Sequence, residues 1–86
     1  MSHSPWMIHT QRQREHLKHY GAQHLDKQTI SHMAREVRTD ITLTEEFVQS
    51  LKRAVPGSVD DVIAECEPEL VEARVFLAEL EALLAA

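Results

Sequence analysis

The sequence predicts an all-α protein, a small bundle of about four helices, and three observations carry that expectation. Apolar residues recur at helical spacing, as at Ile30, Met33, Ala34, Val37 and Ile41. Only two glycines and three prolines interrupt the chain, and each stands where a helix would begin, weaken or end. Ser4, Asp26, Thr44 and Ser58 each precede an apolar-periodic stretch and can accept a hydrogen bond from a first-turn N–H group. At 86 residues and 9.8 kDa there is room for a single domain, residues 1–86, with a thin core.

The first helix is expected over about residues 5–24, with Ser4 at the N-cap and Pro5 at the first helical position, where its missing N–H is not needed. Its apolar stripe is sparse. Trp6, Leu17, Tyr20 and Leu25 are widely separated, residues 9–16 are polar on every side, and Gly21 is a weak point. Residues 1–26 are therefore expected to form a mobile or partner-docking segment.

The second helix, about 27–38, presents Ile30, Met33, Ala34 and Val37 on one face, with Asp26 as its cap. The polar, β-branched run Thr39-Asp40-Ile41-Thr42 is expected to break it. A third helix, about 44–55, follows. Thr44 is its expected cap, Glu45 and Glu46 suit the positive end of the helix dipole, and Leu43 with Val48 has the spacing of a hydrophobic staple. Pro56-Gly57 is expected to end it. The fourth region, about 59–85, starts at Ser58 and carries a kink or break at Pro68.

The strongest functional signal lies in this last region. Leu70, Leu77 and Leu84 share one heptad position, Ala73 and Leu80 a second, Phe76 and Leu83 a third, with Val71, Val75 and Ala78 widening the surface. An apolar arc covering more than half a helix calls for burial on several sides. A homodimer interface through Leu70, Phe76, Leu77, Leu80, Leu83 and Leu84 is the expectation.

Charge is uneven: eight Lys/Arg and six Asp/Glu precede residue 56, and one base with eight acids follows. All six histidines lie within the first 32 residues. Trp6, Arg12, Arg14, His16, His19 and Tyr20 are the expected partner-binding residues on the first helix. His16 and His19, one turn apart, have the spacing of two metal ligands, but a structural zinc site wants four, commonly including thiolates, so no metal is expected. Protonation of the imidazoles near pH 6 offers a second use, a pH-dependent affinity for an acidic partner.

Catalysis is not expected. No nucleophile stands with a base, no glycine-rich phosphate loop exists, and Cys66 lies among core apolar positions. No cofactor is expected. A helix-turn-helix over residues 27–55 is disfavoured because its second helix opens with Glu45-Glu46, facing phosphates with like charge. With one cysteine, no signal-peptide segment and no stretch near the roughly 20 apolar residues that span a bilayer, a cytoplasmic protein is expected. The function expected is a small helical regulator, adaptor or inhibitor that binds another protein and dimerises through its last helix. The alternative is a nucleic-acid-associated regulator presenting the basic, His-rich first helix.

Overall fold

A computed structural model describes residues 7–54 and 60–86. They form α1 (Ile8–Tyr20), a single 3-10 turn (Ala22–His24), α2 (Lys27–Ala54) and α3 (Asp60–Ala85). The all-α class holds, but the helices number three among the described residues, because the expected second and third helices are one. The expected caps and stops at Ser4, Pro5, Pro56, Gly57 and Ser58 lie outside the described residues.

Helix α1 begins at an N-cap, Met7, whose backbone is left-handed at φ 60° and which offers no side-chain cap. Gly21, at φ 81° and ψ 143°, ends it, and its N–H donates to the Leu17 carbonyl at 2.8 Å. A Cβ at Gly21 would meet only His24 Cδ2 at an ordinary 3.7 Å, so backbone conformation and not space demands glycine there. Gly21→Ala is expected to destabilise the fold by about 1–3 kcal/mol, measured by urea denaturation. An unchanged midpoint would show that the turn relaxes at no cost.

Helix α2 starts on a side-chain cap, as its sequence suggests: Asp26 Oδ1 accepts the Thr29 N–H at 2.7 Å. Hydrogen bonding from Thr29, through side chain and backbone, holds the Asp26 carboxyl below its ordinary range. The helix then runs straight through Thr39–Thr42. The break expected there rested on the modest helix propensities of Thr and Asp, each worth a few tenths of a kcal/mol relative to better helix formers. Tertiary contacts exceed that. Thr39 turns its hydroxyl back to the Arg35 carbonyl at 3.1 Å, while Asp40 and Thr44 point inward and hold α1. Thr44 is consequently mid-helix rather than a cap, and Leu43 is 59% exposed, making no staple with buried Val48.

Helices α2 and α3 form a long antiparallel pair. Their inner faces meet through Ile30, Met33, Ala34, Val37, Ile41 and Val48 on one side and Cys66, Leu70, Ala73, Phe76 and Leu80 on the other. A ladder of ion pairs runs along one edge at heptad intervals: Arg38–Glu81 at 3.3 Å, Arg74–Glu45 at 2.6 Å and Lys52–Glu67 at 3.9 Å. Exposed pairs contribute little stability each, but alternating the sign along the ladder favours this register over one shifted by a heptad. At 28 and 26 residues the helices are about 40 Å long, in keeping with a molecule 45 Å in its longest dimension.

Pro68 sits inside α3 without ending it. Proline removes one backbone hydrogen bond, to the carbonyl four residues earlier. Both residues concerned, Ala64 and Pro68, are exposed, so the loss falls on the outward side, where water can supply a partner. The inward face passes unbroken from Cys66 to Leu70.

Helix α1 lies antiparallel to α2, with Met7 against Thr44, Thr10 against Asp40 and Gln13 hydrogen-bonded to Glu36. It contributes Met7 and part of Leu17 to the core and little else. The fixing point is polar. Asp40, a residue only 7% exposed, accepts through Oδ2 both the Thr10 N–H at 2.7 Å and the Thr10 hydroxyl at 3.0 Å. Thr10 is the third helical residue, one of the positions whose N–H an N-cap side chain normally accepts. A carboxylate from α2 thus caps α1, in place of the cap that Met7 cannot supply.

Candidate protein-interaction surface

Positions 64, 68, 71, 75, 78, 82 and 85 of α3 follow one another at alternate spacings of four and three residues, which gathers them on one face. They are Ala64, Pro68, Val71, Val75, Ala78, Ala82 and Ala85, all apolar and all exposed. Val71 and Val75 are 57% and 56% exposed. At 3.6 residues per turn this stripe is diametrically opposite Cys66, Ala73 and Leu80 on the buried face. One helix therefore carries two apolar faces, back to back.

Two narrow polar strips separate them. One consists of Glu65, Glu72 and Glu79, the other of Glu67, Arg74 and Glu81. The second strip faces α2 and makes the ion-pair ladder. In the first, Glu72 meets Arg14 of α1 at 3.2 Å, while Glu65 and Glu79 make no ion pair among the described residues. Beside the stripe, a cleft of about 270 Å³ between α2 and α3 is lined by Val48, Leu70 and Val71 with Glu45, Gln49, Lys52, Glu67 and Arg74 around them.

The six residues expected to form an oligomer interface face inward. Leu70, Phe76 and Leu80 are buried in the chain's own core, and Leu77, Leu83 and Leu84 pack partly buried against it. The outward stripe was missed as a unit. Its signal was present in the 4-3 spacing, but the larger leucines draw the eye to the opposite face.

Of the partner-binding residues expected on the first helix, Trp6 lies outside the described residues. Arg12, His16, His19 and Tyr20 are exposed, and Arg14 is tied to Glu72. The imidazoles of His16 and His19 each lie 4.7 Å, centroid to centroid, from the Tyr20 ring, one tilted and the other edge-on. These contacts form a small ring cluster on the surface. Among the described residues no group of three or more His, Cys, Asp or Glu side chains is placed to hold a metal ion.

A second apolar area lies where α1 meets the middle of α2. Ile8 and Leu43 are 53% and 59% exposed, and with Met7, His9, Asp40, Thr44 and Phe47 they line a shallow hollow of about 320 Å³.

Cys66 is fully buried, and burial pushes its thiol pKa up, with the nearby charges of Glu65 and Glu69 acting in the same direction. The thiolate is the reactive form, so both access and ionisation oppose reaction. Ellman's reagent is expected to leave Cys66 unmodified in the native protein at neutral pH and to titrate one thiol in denaturant. Rapid native labelling would place Cys66 outside the core.

Among the described residues no helix is long and apolar enough to cross a membrane. Compared with protein-family models, with curated proteins and with solved structures, the chain gives no match.

Proposed function

We propose that the protein is a small helical interaction module, a regulator, adaptor or inhibitor that acts by binding another macromolecule through the outward face of α3. The observation that carries this reading is the exposed stripe centred on Val71 and Val75. Isolated surface valines are ordinary. A stripe that holds heptad spacing over the length of a helix, with a complete buried face already opposite it, is the form a helix takes when it serves two packing partners.

Such a reading moves the expected interface around the helix. The leucines that suggested dimerisation are occupied by the chain's own core, so a partner on α3 meets Val71, Val75 and the alanines. A nucleic-acid role is less well supported. Arg14, Arg38, Lys52 and Arg74 each face a carboxylate of the same chain, and among the described residues Arg12 and Lys18 are the bases of α1 that make no ion pair.

Photo-crosslinking at single positions tests the proposal. A crosslinker at residue 75 is expected to yield adducts with another polypeptide in the native cell, and one at residue 16, on α1, to yield few. Adducts from position 16 alone would move the binding surface to the His-Tyr cluster of α1. Adducts of about twice 9.8 kDa from position 75 would identify the partner as a second copy.

A further inference from the structure

We infer that the occupant of the α3 stripe is a basic amphipathic helix of another protein, about twenty residues long. This deepens the interaction reading above and rests on it. Charge complementarity is what selects the partner. The positions bordering the stripe are Glu65, Glu72 and Glu79 on one side and Glu67, Arg74 and Glu81 on the other; Arg14, Lys52, Glu45 and Arg38 pair with four of them, and Glu65 and Glu79 leave the border net negative. In a two-helix pairing these bordering positions are the ones that face the partner's flanks.

A second copy of α3 would bring this same acidic set against itself. In the parallel arrangement the Glu65, Glu72 and Glu79 strip meets the Glu67, Arg74 and Glu81 strip of the other copy, where only Arg74 finds an opposite charge; in the antiparallel one the all-glutamate strip meets itself, and like charges across a helix pair are unfavourable. A helix with Lys or Arg at its flanks meets the opposite situation. Glu65 and Glu79 are open to new ion pairs, and Glu67, Glu72 and Glu81, whose side chains remain 60%, 61% and 52% exposed beside their intrachain partners, can accept a second cation.

Size follows from the stripe's ends. From Ala64 to Ala85 the seam rises about 32 Å, the length of a helix of about twenty residues. Shape follows from its side chains. Alanine at the ends and valine at the centre make a shallow surface, which larger side chains such as leucine on the partner would fill.

The experiment uses the full-length chain and synthetic helical peptides of about 21 residues. The peptides carry leucine at the seam positions and lysine, glutamine or glutamate at the flanks, and binding is followed by fluorescence anisotropy. The lysine-flanked peptide is expected to bind and the glutamate-flanked one not to bind. Affinity is expected to fall steeply between about 0.02 M and about 0.5 M salt.

Two double variants, each checked by circular dichroism for an unchanged fold, assign the contact. Val71→Asn with Val75→Asn is expected to weaken lysine-peptide binding more than about tenfold, because it removes the central apolar contact while leaving the charge unaltered. Glu65→Gln with Glu79→Gln is expected to weaken it about three- to tenfold, as two exposed ion pairs would.

Other results overturn the inference in distinguishable ways. Equal binding of the glutamine- and lysine-flanked peptides, with Glu65→Gln and Glu79→Gln silent, would leave α3 a docking face but refute its choice of a basic partner. No peptide binding, together with a dimer that the valine variant dissociates, would make the occupant a second copy. No peptide binding by a monomeric chain would remove both the inference and the function proposed above.

Discussion

Truncating Leu80 to alanine is expected to lower the stability of the fold by about 2–5 kcal/mol, the range for emptying a fully buried leucine site. Leu80 has no exposed surface and belongs to the α2–α3 core, where neighbours on both helices limit how far the gap can close. Against a total stability of roughly 4–13 kcal/mol for a chain of this length, the loss removes a large share of the folded state's margin. Leu80→Met, which conserves volume, is expected to cost less than about 1.5 kcal/mol. Leu80→Asp buries an unpaired carboxylate and is expected to leave no folded protein at room temperature, as read by the far-ultraviolet circular dichroism signal. Near-normal stability of the alanine variant would show that the α2–α3 packing described here is not the one that forms.

Asp40→Ala is expected to be the most damaging change outside the apolar core, at about 2–4 kcal/mol. Hydrogen bonds to a charged group are each worth more than neutral ones, and their loss leaves a buried N–H and a buried hydroxyl without acceptors. The damage should concentrate in α1. That helix has a thin apolar stripe and an N-cap, Met7, in left-handed conformation, which itself costs about 1–3 kcal/mol. Asp40→Asn keeps the shape and one acceptor oxygen but loses the charge that suits the positive end of α1, so an intermediate effect is expected. Urea titration with separate probes for α1 and for the α2–α3 pair checks this. A loss spread evenly over both would mean that Asp40 supports the whole fold rather than the docking of one helix.

The all-α class was readable from the spacing of Ile30, Met33, Ala34 and Val37 and from Asp26 as a cap, because both are local signals and the structure keeps both. The number of helices was not. Thr39, Asp40, Thr42 and Thr44 favour turns and caps when only their neighbours in sequence are considered, yet Asp40 and Thr44 reach residues 30 and 37 positions away. The contact with Thr10 and Met7 decides their conformation, and no periodicity within residues 39–44 announces it.

For α3 the difficulty was of another kind. Counting apolar positions correctly showed more than one face's worth, but the count alone did not say which residues belong to which face. Heptad spacing and the width of the apolar arc point Leu70, Phe76, Leu77, Leu80, Leu83 and Leu84 to a partner chain, although the chain's own α2 can cover the same face. The antiparallel pairing with α2, fixed by the buried faces and the Arg38–Glu81, Glu45–Arg74 and Lys52–Glu67 ladder, turns them inward and leaves Val71 and Val75 facing solvent.

The cap that Asp40 provides also makes one amide a direct gauge of motion. In an isolated helix the N–H of the third residue has no acceptor within its own helix and exchanges with solvent freely. In this protein the Thr10 N–H is protected by a side chain of another helix, so its hydrogen–deuterium exchange rate reports how often α1 lifts from α2, without any label. Amides in the middle of α2 and α3, closed within their own helices and packed on each other, exchange only through larger openings. The ratio of the two rates gives the free-energy gap between undocking one helix and losing the fold.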